Sequence, residues 1–218
     1  VTAAFPRSPR LLRGGLVLVD PQTGAVRRVI ALQYNPDTLS RSLQVKGTGA
    51  ESGDRSEALR LKGPPVETIK LDCEIDATDQ MEASDPQTGR LGIQPQLSVL
   101  ETMVYPTSQQ LLANDRMAGR GELEIVPMQS ALTLFVWSKT RVIPVRVTEF
   151  SITEEAFDPA LNPIRAKVSL GLRVLSVDDL GFASKGGSLF MSYLLQKEQL
   201  AAASVLQGLG TMGLTGIP

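Results

Sequence analysis

The chain has no histidine and only one cysteine in 218 residues. Without histidine it lacks the commonest general base near neutral pH, the usual relay for serine or cysteine nucleophiles and the commonest zinc ligand. Its lone thiol, Cys73, excludes an internal disulfide framework and a CxxC metal site, and a reducing compartment is the simpler setting. Aromatic residues make up 5% and are scattered, which leaves little to line a small-molecule pocket. No apolar run approaches the roughly 18 residues of a spanning helix. The run at 16–19, after Arg7, Arg10 and Arg13, is too short for a signal-peptide core, so cytoplasmic synthesis is expected. Neither charge sign dominates: 22 Lys and Arg face 23 Asp and Glu, for a net charge of −1. Nothing electrostatic therefore points to nucleic acid or an anionic membrane as a partner, and copies of the chain repel one another only weakly.

What is present is ordinary globular material, 42% hydrophobic and 21% charged, long enough for one good core. Residues 1–14 are Pro/Arg-rich and read as a loose arm. Two short β-type runs, 15–20 and 25–33, flank Asp20-Pro21-Gln22-Thr23-Gly24, whose Pro and Gly positions make a hairpin turn. The same pentapeptide recurs at Asp85-Pro86-Gln87-Thr88-Gly89, as turn chemistry and not as a domain repeat. Residues 39–45 alternate, with Arg41 as an exception on the apolar face. The segment 47–63 is a long polar loop, and Ile69, Leu71, Cys73 and Ile75 mark a half-buried strand with Cys73 as a small core residue. A polar stretch at 77–95 leads into one short helix near 96–105, stopped by Pro106, and 107–130 is ambiguous.

The last third is strongly β. Residues 131–137 and 142–152 flank a four-residue hairpin connection, and 164–174 alternate without a break. Phe135 and Trp137 lie opposite Leu132, Leu134 and Val136, so that strand is apolar on both faces; a helix of the chain or a second subunit would cover it. Arg165, Lys167 and Arg173 form a basic row that reads as a solvated face, or as a charged surface lining a lumen or meeting a neighbour's acids. From 188 to about 206 a helical stripe runs through Met191, Leu194, Leu195, Val205 and Leu206. The expected fold is mainly β (α+β): an antiparallel tube-type β-barrel or sandwich with one short mid-chain helix and a C-terminal helix.

Chemistry is sparse. There is no Walker-type loop and no GxGxxG, and no cofactor, metal site or catalytic residue is expected. The acid pairs Glu122/Glu124, Glu154/Glu155 with Asp158, and Asp178/Asp179 read as solvated strand ends and loops. A hydrolase would need two of these pairs in one cleft.

Three segments carry a resemblance. The first is Leu32-Gln-Tyr-Asn-Pro-Asp-Thr-Leu-Ser40; the second is Leu132-Thr-Leu-Phe-Val-Trp137 with the strand after it. The third holds Thr153-Glu154-Glu155, Phe157-Asp158-Pro159, Leu161-Asn162-Pro163, the long strand and Val177-Asp178-Asp179-Leu180. Over residues 28–180 the chain resembles the contractile injection system tube protein family, whose members sit where the spike hub meets the inner tube. The resemblance implies a tube-like β-barrel domain over 15–180, assembled as a homo-hexamer between a trimeric spike hub and inner tube and baseplate proteins. It implies no enzyme activity and a place within an injection particle. Residues 181–218 are too few and too helical for the LysM-like domain of larger adaptor members, and form a helical extension expected to dock on its own barrel or a baseplate partner. Self-association would fall to Phe135, Trp137, Arg165, Lys167 and Arg173, and docking to Met191, Leu194, Leu195, Val205 and Leu206. The competing expectation is a monomeric ligand-binding β-barrel.

Overall fold

The computed structural model of the chain describes residues 12–47, 60–83, 85–121, 130–204, 209–212, 215 and 217. Its first element is the expected hairpin, β1 (Gly15–Val19) and β2 (Val26–Ala31). The Asp20 carboxylate builds the turn, accepting from the backbone N–H groups of Gln22 and Thr23 and pairing with Arg27, while Gly24 takes φ 71°. These bonds hold the Asp20 carboxyl well below the usual carboxylate range. The second copy of the pentapeptide begins in the same way: Asp85 accepts from the N–H and the hydroxyl of Thr88. Its glycine does not leave the helical region, however, and the copy opens a short helix.

After the hairpin come β3 (Leu39–Gln44) and β4 (Val66–Asp76). Four helices follow, α1 (Thr78–Glu82), α2 (Thr88–Leu91), α3 (Gln94–Glu101) and α4 (Ser108–Gly119). The last third holds β5 (Leu132–Ser138), β6 (Arg141–Phe157), β7 (Pro163–Val174), α5 (Val177–Leu180) and α6 (Lys185–Ala202). One mid-chain helix was expected; only α3 matches it. The polar stretch at 77–95 contains α1 and α2, and α4 lies in the ambiguous segment, opened by a reciprocal capping box between Thr107 and Gln110. Weakly amphipathic, polar helices of this kind leave little periodicity to detect.

All strands belong to one antiparallel sheet in the order β2-β1-β5-β6-β7-β4-β3. The fold is thus α+β with a predominant sheet, as expected. Closure is by curling and not by a continuous ladder. β2 and β4 stand far apart in the strand order, yet Ile30 and Leu32 share one core with Cys73 and Ile75. The seam where they meet is crossed by the Gln33 side chain, which donates to the Asp76 carbonyl at 2.6 Å and accepts from the Asp76 N–H at 3.0 Å. That amide stands in for one backbone residue of a ladder. Leu97 and Leu100 of α3 complete the core there.

The interior is filled by side chains. Ile69, Ile143, Val168 and Leu172 are buried completely, each contributing about 1.5–3 kcal/mol of apolar burial. Phe190 and Tyr193 of α6 join the same core, so this helix is packed into the sheet. A smaller cluster of Val19, Leu132 and Leu134 packs on Leu180 and Leu189, covering the other face of β5 with α5 and α6. Of the two covers considered for β5, the chain supplies its own. Among the described residues no helix is long and apolar enough to cross a membrane.

Candidate functional site

Of the three segments that carry the resemblance, Leu132–Trp137 is strand β5 itself, and the other two lie at junctions of the fold. Asn35 of the Asn-Pro motif accepts from the Gly14 N–H and donates to the Leu12 carbonyl, both at 2.8 Å, tying the start of β1 to the end of β2. Asp158 and Asn162 build the β6–β7 tip: Asp158 accepts from the N–H of Ala160, the N–H of Asn162 and the Asn162 side-chain amide, each at 2.8 Å. In the Val-Asp-Asp-Leu segment, Ser176 and Asp179 form the capping box of α5. Asp178 pairs with Lys46 at 3.0 Å, and Asp179 with Arg173 at 2.7 Å.

The aromatic pair of β5 divides. Phe135 is 1% exposed and belongs to the main core, so it has no surface to offer a neighbour. Trp137 is half-buried, stacked on Phe135 with 5.8 Å between ring centroids. Its indole covers Gly14, where any side chain would strike the ring at 2.5 Å. Alternation alone could not tell a core aromatic from an interface aromatic.

The basic row lies on the exposed face of the β4–β7–β6 sheet, as its alternation required. Each member has an acid within reach: Arg165 with Asp76 at 2.7 Å, Lys167 with Glu155 at 3.1 Å, and Arg173 with Asp179. Lys70 and Glu149 add a further pair at 2.8 Å across Gly171. The surface is therefore a mixed-charge lattice and not a basic stripe. Asp76 sits below its ordinary pKa, first through the Thr78 side chain and also through Arg165. For Asp179, burial pushes the pKa up, but the Ser176 N–H and the Arg173 charge outweigh it and the net direction is down. Arg146 faces Arg173 directly across the strands and has no ion-pair partner among the described residues.

The acids singled out earlier do not converge. Glu155, Asp178 and Asp179 are spent on cations, Asp158 is spent on its own turn, and Glu122 and Glu124 lie outside the described residues. Among the described residues no three His, Cys, Asp or Glu side chains are grouped to hold a metal. Cys73 is buried, with its thiol donating to the Val168 carbonyl at 3.4 Å. Burial, and then the charge of Asp72, push it up to about 11, the opposite of a reactive thiol.

The docking helix differs from expectation in phase. Its inward residues are Gly186, Gly187, Phe190 and Tyr193, with Met191 and Leu194 half-buried. Leu195 is 51% exposed, and Val205 and Leu206 lie outside the described residues. The phase is set by a polar group. Glu67 on β4 is 4% exposed and accepts from Arg41 at 2.8 Å, Tyr193 at 2.9 Å and Lys197 at 2.9 Å. The Lys197 ammonium also lies 4.1 Å from the centre of the Tyr193 ring. Burial pushes the Glu67 carboxyl up, but the Lys197 hydrogen bond and charge, with Arg41 and Tyr193, hold it net below its ordinary 4.5. Arg41, the exception on its strand's apolar face, is thereby explained. Its signal in the sequence was the polar residue at an inward position; Glu67 gave none, because it precedes the clean part of its strand's alternation.

One more feature was invisible in the sequence. β6 runs for 17 residues, but β5 pairs with it only as far as Val145. From 147 to 157 its second edge carries no ladder partner among the described strands. Matches to known proteins add nothing to this geometry: no protein-family model and no curated protein matches the chain.

Proposed function

We propose that the protein is a structural subunit of a contractile injection system, a hexameric ring that joins the spike hub to the inner tube. The observation that carries this reading is the 147–157 edge of β6, which has no ladder partner among the described strands and is flanked by the mixed-charge face of β4, β7 and β6. An open edge beside a broad charged face is unusual in a lone monomer, because it invites pairing with another chain, and a ring of copies closes such edges. The residue pattern of the tube protein family supports the same reading: its motifs fall at the Asn35 tie, the 158–162 tip and α5, the points that fix where the edges stand. The work is done by repeated shape-complementary contacts, with spike hub, inner tube and baseplate proteins as partners.

The competing ligand-binding barrel finds less support. The space inside the curled sheet is occupied by Ile69, Ile143, Val168 and Leu172. Negative-stain electron microscopy of the purified protein, alone and with its spike hub, with a light-scattering mass, tests the proposal. Sixfold rings, alone or on addition of the hub, are expected; a monomer that ignores the hub overturns it.

A further inference from the structure

We propose that Arg146 and Arg173 together hold an oxyanion on the exposed face of the sheet. The two arginines stand directly opposite each other on β6 and β7, so both side chains leave the same face. Like charges in that position repel each other and weaken the strand pair. Elsewhere on this face each cation has its own acid: Lys70 has Glu149, Arg165 has Asp76 and Lys167 has Glu155. Arg173 reaches Asp179 of α5 through one terminal nitrogen at 2.7 Å, and its guanidinium keeps further N–H donors. Arg146 is exposed and has no acid within ion-pair distance among the described residues. Two arginines and one aspartate leave this corner of the sheet with an unbalanced positive charge.

The neighbouring strands extend the pair with hydroxyl donors and not with acids. Thr68 of β4 stands opposite Arg173, and Ser42 of β3 stands opposite Thr68. Neither hydroxyl has a hydrogen-bond partner among the described residues. Ser42, Thr68, Arg173 and Arg146 therefore form one row across the sheet, about 14 Å long at the usual strand spacing, in which every side chain can donate. The next row differs, because Lys70 and Glu149 close on each other across Gly171 and leave no charge over. A guanidinium presents a planar fork that matches the oxygens of a phosphate or a carboxylate. Directly opposed residues have their Cα atoms about 5 Å apart, so one anion can accept from both forks. Access is open, since the ladder between β5 and β6 ends at Val145, one residue before Arg146. A bound anion turns the repulsion into attraction and steadies β6 where β5 leaves it. The site lies within one chain and does not rest on ring assembly or on a spike hub.

The test follows thermal unfolding of the full chain in inorganic phosphate and in sodium chloride at one pH and one ionic strength, for the parent, Arg146→Gln and Lys167→Gln. Both substituted positions are exposed, so both variants fold. Phosphate is expected to raise the melting temperature of the parent and of Lys167→Gln alike, whereas Arg146→Gln should need at least tenfold more phosphate for the same rise. The order of the proteins should also invert. In chloride alone Arg146→Gln is relieved of the repulsion and melts at or above the parent; in high phosphate the parent melts higher. A phosphate response that does not depend on protein concentration identifies a free anion as the ligand. Self-association that phosphate competes away and that Arg146→Gln lacks identifies a carboxylate of a second copy. A parent in which phosphate changes neither melting nor association, a response unchanged in Arg146→Gln, or one equally lost in Lys167→Gln would each overturn the proposal.

Discussion

The curled sheet is stopped by a helix at each of two places, and the two stops use opposite chemistry. α6 is held by a buried carboxylate: Glu67 collects donors from β3 and from two successive turns of α6. α3 covers the seam, which is held by a neutral amide, Gln33, and which leaves an apolar cleft open beside it. A buried charge tolerates only the arrangement that satisfies it, whereas an amide clamp over aliphatic side chains tolerates small movements of both walls. The charged stop fixes one helix in one phase. The neutral stop leaves an apolar cleft beside it.

The largest expected effect comes from breaking the charged stop. Glu67→Ala should cost about 3 kcal/mol in chemical denaturation, the low end for breaking a buried ion pair, since Arg41 and Lys197 are near enough to the surface to be hydrated. Acid should act through the same group. The folded pKa of Glu67 lies below 4.5, so its stabilisation is complete above that value and is lost as pH falls through the folded value. Denaturation midpoints measured from pH 7 to pH 3 should therefore fall more steeply below about pH 4.5 in the parent than in Glu67→Gln. Equal slopes would mean that α6 is held by Phe190 and Tyr193 alone.

At the seam the expected loss is smaller. Gln33→Ala removes two hydrogen bonds to one half-buried residue and should cost about 2 kcal/mol. Native-state hydrogen exchange sharpens the comparison further: amides of 29–33 should lose protection in this variant while those of 66–71 keep theirs. A loss spread evenly over both would show that the two stops behave as one unit.

How much of this was legible in the sequence follows the range of the interactions. Strict alternation at Ile69, Leu71, Cys73 and Ile75, and again in 164–174, gave the central strands, because burial of one face of a sheet writes itself as a period of two. The Asp20 turn was readable from five residues. Its twin at Asp85 was not, because both carboxylates build the same first bonds and only the surroundings decide whether the chain turns back or winds on. The phase of α6 was misjudged because Glu67 and Tyr193, 126 residues apart, select it together. The unpaired stretch of β6 depends on where β5 ends against it, which strand patterns do not encode. For the candidate interface, Phe135 and Trp137 were found by their chemistry but could not be divided into core and cover without the Gly14 contact.

Among the surface pairs the expected effects shrink again. Arg173 and Asp179 are each about three-quarters buried at the side chain, and Arg173→Ala should cost no more than about 1 kcal/mol. Its value against Glu67 is as a calibration: both are contacts from a strand arginine to a carboxylate, but the Glu67 carboxylate is more deeply buried and also accepts from Tyr193 and Lys197.

The smallest effect on the isolated chain, and the most informative one for assembly, belongs to Arg165 and Lys167. Their side chains are half-exposed; when the cations are removed Glu155 remains a third exposed, and Asp76 keeps the bonds it accepts from Thr78. Replacing both with alanine should leave the denaturation midpoint where it is, because exposed pairs gain little over water. If the mixed-charge face meets a neighbour, the same double variant should weaken self-association and flatten its dependence on salt, since two fewer cations take part in the contact. Sedimentation of parent and double variant at low and high salt separates the cases. Weaker association with an unchanged midpoint assigns the row to the interface, and unchanged association leaves it as a solvated face whose charges are balanced within the chain.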